Sequence, residues 1–308
     1  MTPEEKDYFS KDKPNEIPAN QPVPPAEDAD RQTGDGGKST DTDAFSQGLV
    51  NTGTESIVVF FGPVSSGKTV ALLRLVQYLK KHGFRFDISN ATPKTGSYAI
   101  SRAKFSENID SMSSAVPPRT RGTDFLILDA RKESKLQFHL LEAPGEHFFS
   151  NTNPDRQDYP RYMNQVFNTD QKKVYVAFFE DSMFGDTNEP SLLRKKYAAR
   201  LANFVNTKIN PKRDKLIILY NKINDSGQRM SGGKVQVKEL RDEVFGNSDY
   251  KDFSTAIRDN GGGLKSVPLV PFFSGDFQDK NSWAMSPDKY PQAFYNAIDK
   301  HLRGSWLW

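Results

Sequence analysis

The sequence predicts an α/β domain around a mostly parallel sheet, and three observations carry that reading. Short β-branched and aromatic runs alternate along the body of the chain with helical stripes. The first such run opens into a glycine-bearing loop that leads directly into a helix. The stretch before it is proline-rich and acidic and has no apolar periodicity.

Residues 1–54 contain six prolines and few large apolar side chains. They cannot bury enough area to offset the entropy of ordering and are expected to be a disordered acidic tail. Ser56–Phe61 is the first strand. The following helix carries Leu72, Leu75, Val76 and Leu79 at i, i+3, i+4, i+7 and ends on Lys80, Lys81, His82 and Gly83. Further strands are expected at 125–128, 136–141, 174–179, 216–220 and 267–273. Helices are expected through Leu193, Tyr197, Leu201 and Phe204 after Pro190, and through Phe294, Ala297, Ile298 and Leu302. The polar turn Asp129–Lys135 makes the second and third strands a hairpin, one of them antiparallel. Pro268 and Pro271 each remove a ladder donor, which places the last strand at a sheet edge.

Composition narrows the chemistry. The 308 residues include no Cys, which excludes disulfides, a thiol nucleophile and Cys-ligated zinc or iron–sulfur sites, and only four His. With a mean hydropathy of −0.68 and no twenty-residue apolar span, a membrane-spanning chain is not expected. The first thirty residues build no apolar signal core, so a cytoplasmic location is expected. Net charge is +3, but the first fifty residues hold 11 acidic and 5 basic side chains and the remainder 28 and 37. The basic excess is dispersed in pairs such as Lys80-Lys81 and Lys212-Arg213, a solvated surface rather than a DNA-binding block.

The strongest motif is Gly62-Pro63-Val64-Ser65-Ser66-Gly67-Lys68-Thr69, which matches G-x-x-x-x-G-K-[ST] between a strand and a helix. Such a loop turns main-chain N–H groups onto phosphate oxygens and adds the helix N-terminus. Lys68 reaches the β- and γ-phosphates, and the Thr69 hydroxyl ligates Mg²⁺.

Four further segments stand beside strand ends: Pro117-Pro118-Arg119-Thr120-Arg121-Gly122-Thr123-Asp124, Leu141-Glu142-Ala143-Pro144-Gly145-Glu146-His147, Asn221-Lys222-Ile223-Asn224-Asp225 and Phe273-Ser274-Gly275-Asp276. Together with the phosphate loop they resemble the Ras and Arf type of GTPase in the translation-factor-related (TRAFAC) P-loop class, over residues 56–304. A narrower likeness is to bacterial double-GTPase domains of conflict and defence operons.

The resemblance implies a three-layer P-loop NTPase fold at 55–304 with a six-stranded sheet in Ras-like order 2-3-1-4-5-6. It implies bound GTP or GDP with Mg²⁺ and slow hydrolysis. Thr120, preferred to Thr123, would sense the γ-phosphate and ligate the metal. Glu142 stands where the family has aspartate near the metal, and Gly145 would bond the γ-phosphate. Glu146 and His147 are alternative water-positioning groups. Asn221 and Lys222 would brace loop and base, while Asn224 stands where the family has its guanine-reading aspartate. An amide offers one acceptor and one donor group and cannot mimic a carboxylate facing two guanine donors without leaving a group unpaired, so either Asp225 moves in or selectivity shifts, for instance toward xanthine. Ser274 and Gly275 would read the base through main-chain N–H groups. Arg119 and Arg121 are either an arginine finger in cis or a basic flank.

Residues 84–123 form a connection far longer than the usual four to six residues and would be a nucleotide-ordered surface for a protein partner. Residues 225–265 form a second insertion, with a helix through Val237, Leu240 and Val244. Trp306-Leu307-Trp308, in the tail 305–308, packs back onto the body or meets a partner or membrane surface. Two other functions stay open: a nucleotide-binding scaffold that hardly hydrolyses, and an ATPase using Asp129 at the end of a Walker B-like strand.

Overall fold

The computed structural model describes residues 53–94, 102–103, 105–106, 125–156, 158–180, 182–185, 187–223, 230–231, 234–260, 263–277 and 283–303. These belong to the larger of two units, 39–308, and the smaller, 1–38, lies outside the described residues. Thr120, Thr123, Arg119, Arg121, Asn224, Asp225 and Trp306-Leu307-Trp308 also lie outside them.

A seven-stranded sheet runs in the order β2-β3-β4-β1-β5-β6-β9. Its strands are β1 (Ile57–Phe61), β2 (Phe84–Ile88), β3 (Leu126–Lys132), β4 (Lys135–Glu142), β5 (Lys173–Phe179), β6 (Lys215–Tyr220) and β9 (Leu269–Pro271). All neighbours are parallel except β3, which is antiparallel to both β2 and β4. β1 is central, with Val59 beside Leu141 on one side and Tyr175 on the other.

A continuous apolar strand has no solvent face. Ile57, Val59 and Phe61 enter one core while Val58 and Phe60 enter the other. One face of the sheet is covered by α1 (Lys68–Lys81) and α7 (Lys289–Leu302). The opposite face carries α2 (Gly145–Phe148), α3 (Arg161–Asn168), α4 (Pro190–Lys208), α5 (Val237–Phe245) and α6 (Lys251–Asp259). Sheet and two helical coats make the three layers expected. Two short hairpins, β7 (Met230–Ser231) with β8 (Lys234–Val235) and β10 (Gly275–Phe277) with β11 (Trp283–Met285), and two single 3-10 turns at Ser248–Tyr250 and Leu264–Ser266 complete the described elements.

The expected six-strand order is present in β3-β4-β1-β5-β6-β9, and the strand count is corrected to seven. The additional strand, β2, occupies the start of the segment 84–123, which was expected to be all connection. The physical reason is visible in its side chains. Phe84, Phe86 and Ile88 turn inward while Arg85 and Asp87 are more exposed, the alternation of an edge strand buried on one face. Phe84 packs its ring 5.8 Å from Tyr295 of α7.

The β3–β4 turn is tighter than the sequence suggests. Only Glu133 and Ser134 link the strands, both with positive φ (50° and 65°), as a two-residue hairpin loop requires. β9 lies at the edge, as its prolines require, and is shorter than 267–273. α4 has Pro190 in its first turn, and α1 stops at Gly83, whose φ of 84° suits glycine. No helix among the described residues is long and apolar enough to cross a membrane.

The core behind the site is aromatic. Phe204 of α4 is fully buried, with ring centroids 4.9 Å from Phe61 and Tyr175, 5.3 Å from Phe167 and 5.6 Å from Phe148. Removing this ring leaves a cavity and several lost edge-to-face contacts. Phe204→Ala is expected to lower the unfolding free energy by about 3–5 kcal/mol, read from urea denaturation midpoints at unchanged slope.

Candidate functional site

The motif residues among those described gather at the carboxyl ends of the parallel strands, where open α/β sheets place their ligands. β1 delivers the loop 62–67, β4 ends on Glu142, β5 is followed by Glu180, β6 by Asn221, and β9 leads to Ser274.

The loop is shaped by positions where a side chain has no room. Gly67 caps α1 in the left-handed region, at φ 80°, and a Cβ there would lie 2.4 Å from the Asn221 side-chain nitrogen. Ser65 is also left-handed, at φ 64°, a conformation that costs a non-glycine residue energy and is typical of ligand-holding turns. Ser66 is buried, and its hydroxyl donates to the Pro63 carbonyl at 2.9 Å. Lys68 folds back beneath the turn: its Nζ donates to the carbonyls of Gly62 (3.2 Å) and Pro63 (2.7 Å). Burial lowers its pKa to about 8, against the opposing attraction of Glu142 and Glu146.

The Thr69 hydroxyl donates to Glu142 Oε1. Two hard oxygen donors therefore meet at the start of α1, which fits Mg²⁺ completed by phosphate oxygens and water. Among the described residues no three His, Cys, Asp or Glu side chains group as an all-protein metal cage. The glutamate's additional methylene lets Glu142 touch Thr69 directly.

Gly145 begins α2 against the phosphate loop itself. A Cβ on it would lie 2.5 Å from the Val64 nitrogen and 2.8 Å from the Pro63 carbonyl carbon, both immovable backbone, so glycine is required. The next two residues diverge. Glu146 is half-buried and close enough to Lys68 to raise its pKa. His147 is buried, with Nδ1 2.8 Å from the Tyr162 hydroxyl of α3. Asp129 pairs with His139 (2.9 Å) and Arg131 (3.0 Å), three residues along β3 from the end that faces Glu142.

On the far side of the loop, Asn221 Nδ2 donates to the Ser66 carbonyl at 2.9 Å, tying the end of β6 to the loop. Its Oδ1 is buried without a hydrogen-bond partner among the described residues, an acceptor suited to a ligand donor. Lys222 has a φ of 56° and pairs with Glu180 at 2.8 Å. Ser274 is buried, and Gly275, at φ 132°, opens the β10–β11 hairpin in a conformation that favours glycine.

Sequence reasoning missed three residues that hold these pieces. Glu180, fixed by Ser182 (2.9 Å), orients Lys222. Arg200 of α4 donates to the carbonyls of Phe148 (3.0 Å) and Asp158 (3.0 Å) and stacks 3.7 Å over Tyr159, anchoring the chain after α2. Arg74 of α1 is 1% exposed and bonded to Ser286 and Asp288. The one signal for these cations was their setting among apolar residues, as in Leu72-Leu73-Arg74-Leu75-Val76.

No family model and no curated protein matches this sequence. Solved structures do. The chain is similar to the GTP-bound GTPase-like domain of S. cerevisiae Ski7, at 14% identity and a TM-score of 0.43, over 82% of this chain and 51% of that one. It is also similar to Methanosarcina barkeri Roco2 RocCORdC bound to GDP, at 12% identity and a TM-score of 0.34, over 83% and 51%. A third is Sup35 complexed with GDP, at 13% identity and a TM-score of 0.30, over 76% and 43%. The chain spans about half the length of the structures it matches. The fold is the three-layer α/β arrangement of P-loop NTPases, defined by the strand order and by the loop between β1 and α1.

Because the Lys68 pKa is depressed in the folded protein, the unfolded chain binds more protons between pH 8 and the ordinary lysine range near 10.4. Stability without ligand should therefore rise through that interval, and below pH 8 this group adds no slope. The stability difference between wild type and Lys68→Met, from urea midpoints at pH 7.5, 9 and 10, should shift in favour of the wild type as pH rises.

Proposed function

We propose that this domain is a Mg²⁺-dependent guanine-nucleotide-binding switch with slow GTP hydrolysis. The observation that carries the reading is the buried Lys68 ammonium group beneath a turn of left-handed residues at the head of α1, with Thr69 and Glu142 meeting beside it. A cation already desolvated gains much from a triphosphate and loses little hydration in doing so. Mg²⁺, bound with the nucleotide, supplies charge neutralisation at the β- and γ-phosphate oxygens. Thr69 and Glu142 would hold it, with Thr120 as a further ligand.

In this reading the loop N–H groups cradle the phosphates and the Gly145 N–H meets the γ-phosphate. Glu146 orients the attacking water, since His147 is occupied by Tyr162 in the interior. A carboxylate there adds negative charge beside the γ-phosphate, which keeps turnover slow. Asn221, Lys222, Ser274 and Gly275 form the base side, with Asn224 and Asp225 setting selectivity. The segment around Thr120 is the surface a protein partner would read. Glu142, Asn224 and Asp276, which stand where the family has other residues, favour a second reading, a nucleotide-holding scaffold with little hydrolysis.

Titration of GTP, XTP and ATP with and without Mg²⁺ tests the proposal. GTP should bind in a Mg²⁺-dependent manner, and Lys68→Ala should weaken it by about a hundredfold or more. Absence of binding to any of the three refutes it. Turnover in wild type that Lys68→Ala abolishes identifies the switch, and tight binding with no turnover identifies the scaffold.

A further inference from the structure

A guanidinium buried in a helix that packs on all sides is expensive to keep. Arg74 lies on α1 six residues beyond Lys68, flanked by Leu72, Leu73, Leu75 and Val76, all buried. Its Nη2 donates to the Ser286 carbonyl at 2.7 Å and to Asp288 Oδ1 at 2.5 Å, and its Nε to the Ser286 hydroxyl at 3.3 Å. Its Nη1 is buried without a hydrogen-bond partner among the described residues. An unpartnered donor of this kind costs stability, and an apolar side chain of similar volume would fill the space without that cost. The value of the arginine therefore lies in what its fork holds in place.

What it holds is the open end of the β10–β11 hairpin. Ser286 N donates to the Ser274 carbonyl at 3.1 Å, and the next pair inward is Gly275 with Met285. Ser274 and Ser286 thus face each other at the hairpin stem, where β9 passes into the base-side loop. Asp288, the other partner of Arg74, precedes α7 and also receives Lys81 at 3.6 Å. One side chain on the phosphate-gripping helix therefore fixes the backbone of Ser274 and Gly275 through a chain of three hydrogen-bonded groups.

We infer that Arg74 is a positioning residue for base recognition, setting the Ser274–Gly275 main chain relative to the phosphate loop through Ser286 and Asp288. The inference rests on the nucleotide reading above and assigns to this site a device for registering the base against the phosphates. A base hydrogen-bonding group left unmatched by a misplaced main chain costs roughly ten- to a hundredfold in affinity. The loss should fall on ligands with a base and spare those without one.

Calorimetric titration of the full chain with GTP and with tripolyphosphate, both with Mg²⁺, tests this. Arg74→Met should weaken GTP roughly ten- to a hundredfold while tripolyphosphate changes by less than about twofold. Asp288→Ala, which removes one exposed acceptor and leaves the apolar packing intact, should show the same selective loss at smaller size. It decides the matter if Arg74→Met does not fold. Equal weakening of both ligands, or unchanged GTP affinity in both variants, overturns the inference. If wild type binds neither ligand the nucleotide reading itself fails. If wild type binds tripolyphosphate but GTP no more tightly, the base side is misassigned, and in either case this inference falls with it.

Discussion

The site depends on a positive charge held where water is scarce. Lys68 cannot reach solvent freely and is satisfied by the carbonyls of Gly62 and Pro63, so the loop's own backbone keeps the ammonium in place without a ligand. This preorganisation explains why so much of the surrounding chain is committed to geometry. Gly67 and Gly145 leave space that a methyl group would close, Asn221 ties a distant strand end to the loop, and Phe178 packs against Gly62 from the neighbouring strand. A preset charge needs little reorganisation when an anion arrives, and in a water-poor site it acts with more force.

The sheet makes that arrangement stiff. β1 is buried on both faces and paired on both edges, so the loop springs from a strand held on every side. The aromatic cluster around Phe204 extends the same rigidity to Phe148, and Arg200 fixes the backbone that follows. The glycine that meets the phosphate loop is therefore anchored from behind, while Glu146 beside it is only half-buried.

The phosphate loop was legible in the sequence because each of its backbone requirements demands a particular residue type at a fixed spacing. The strands were legible because strand and helix periods differ, and their order followed from the resemblance carried by the motifs, with only the edge place of β9 readable from the nearby prolines. β2 was not, because five alternating residues at the mouth of a long connection look like loop until a partner strand is known. Buried Arg74 was not, because its partners are Ser286 and Asp288, more than two hundred residues away, and a lone cation in a helix ordinarily signals a wet face. His147 shows the converse. Its place beside Gly145 suggested a water-positioning role, and the structure buries it with Nδ1 against the Tyr162 hydroxyl.

The edge strand β9 carries a consequence for how the molecule meets others of its kind. Phe272 N donates inward to Tyr220 O, so by alternation the nitrogen of Pro271 faces outward from the sheet, and it has no hydrogen to offer. A strand arriving at this flank would find the ladder broken at the position it needs to continue. The sheet is thereby self-terminating on that border, which guards against edge-to-edge pairing with another strand.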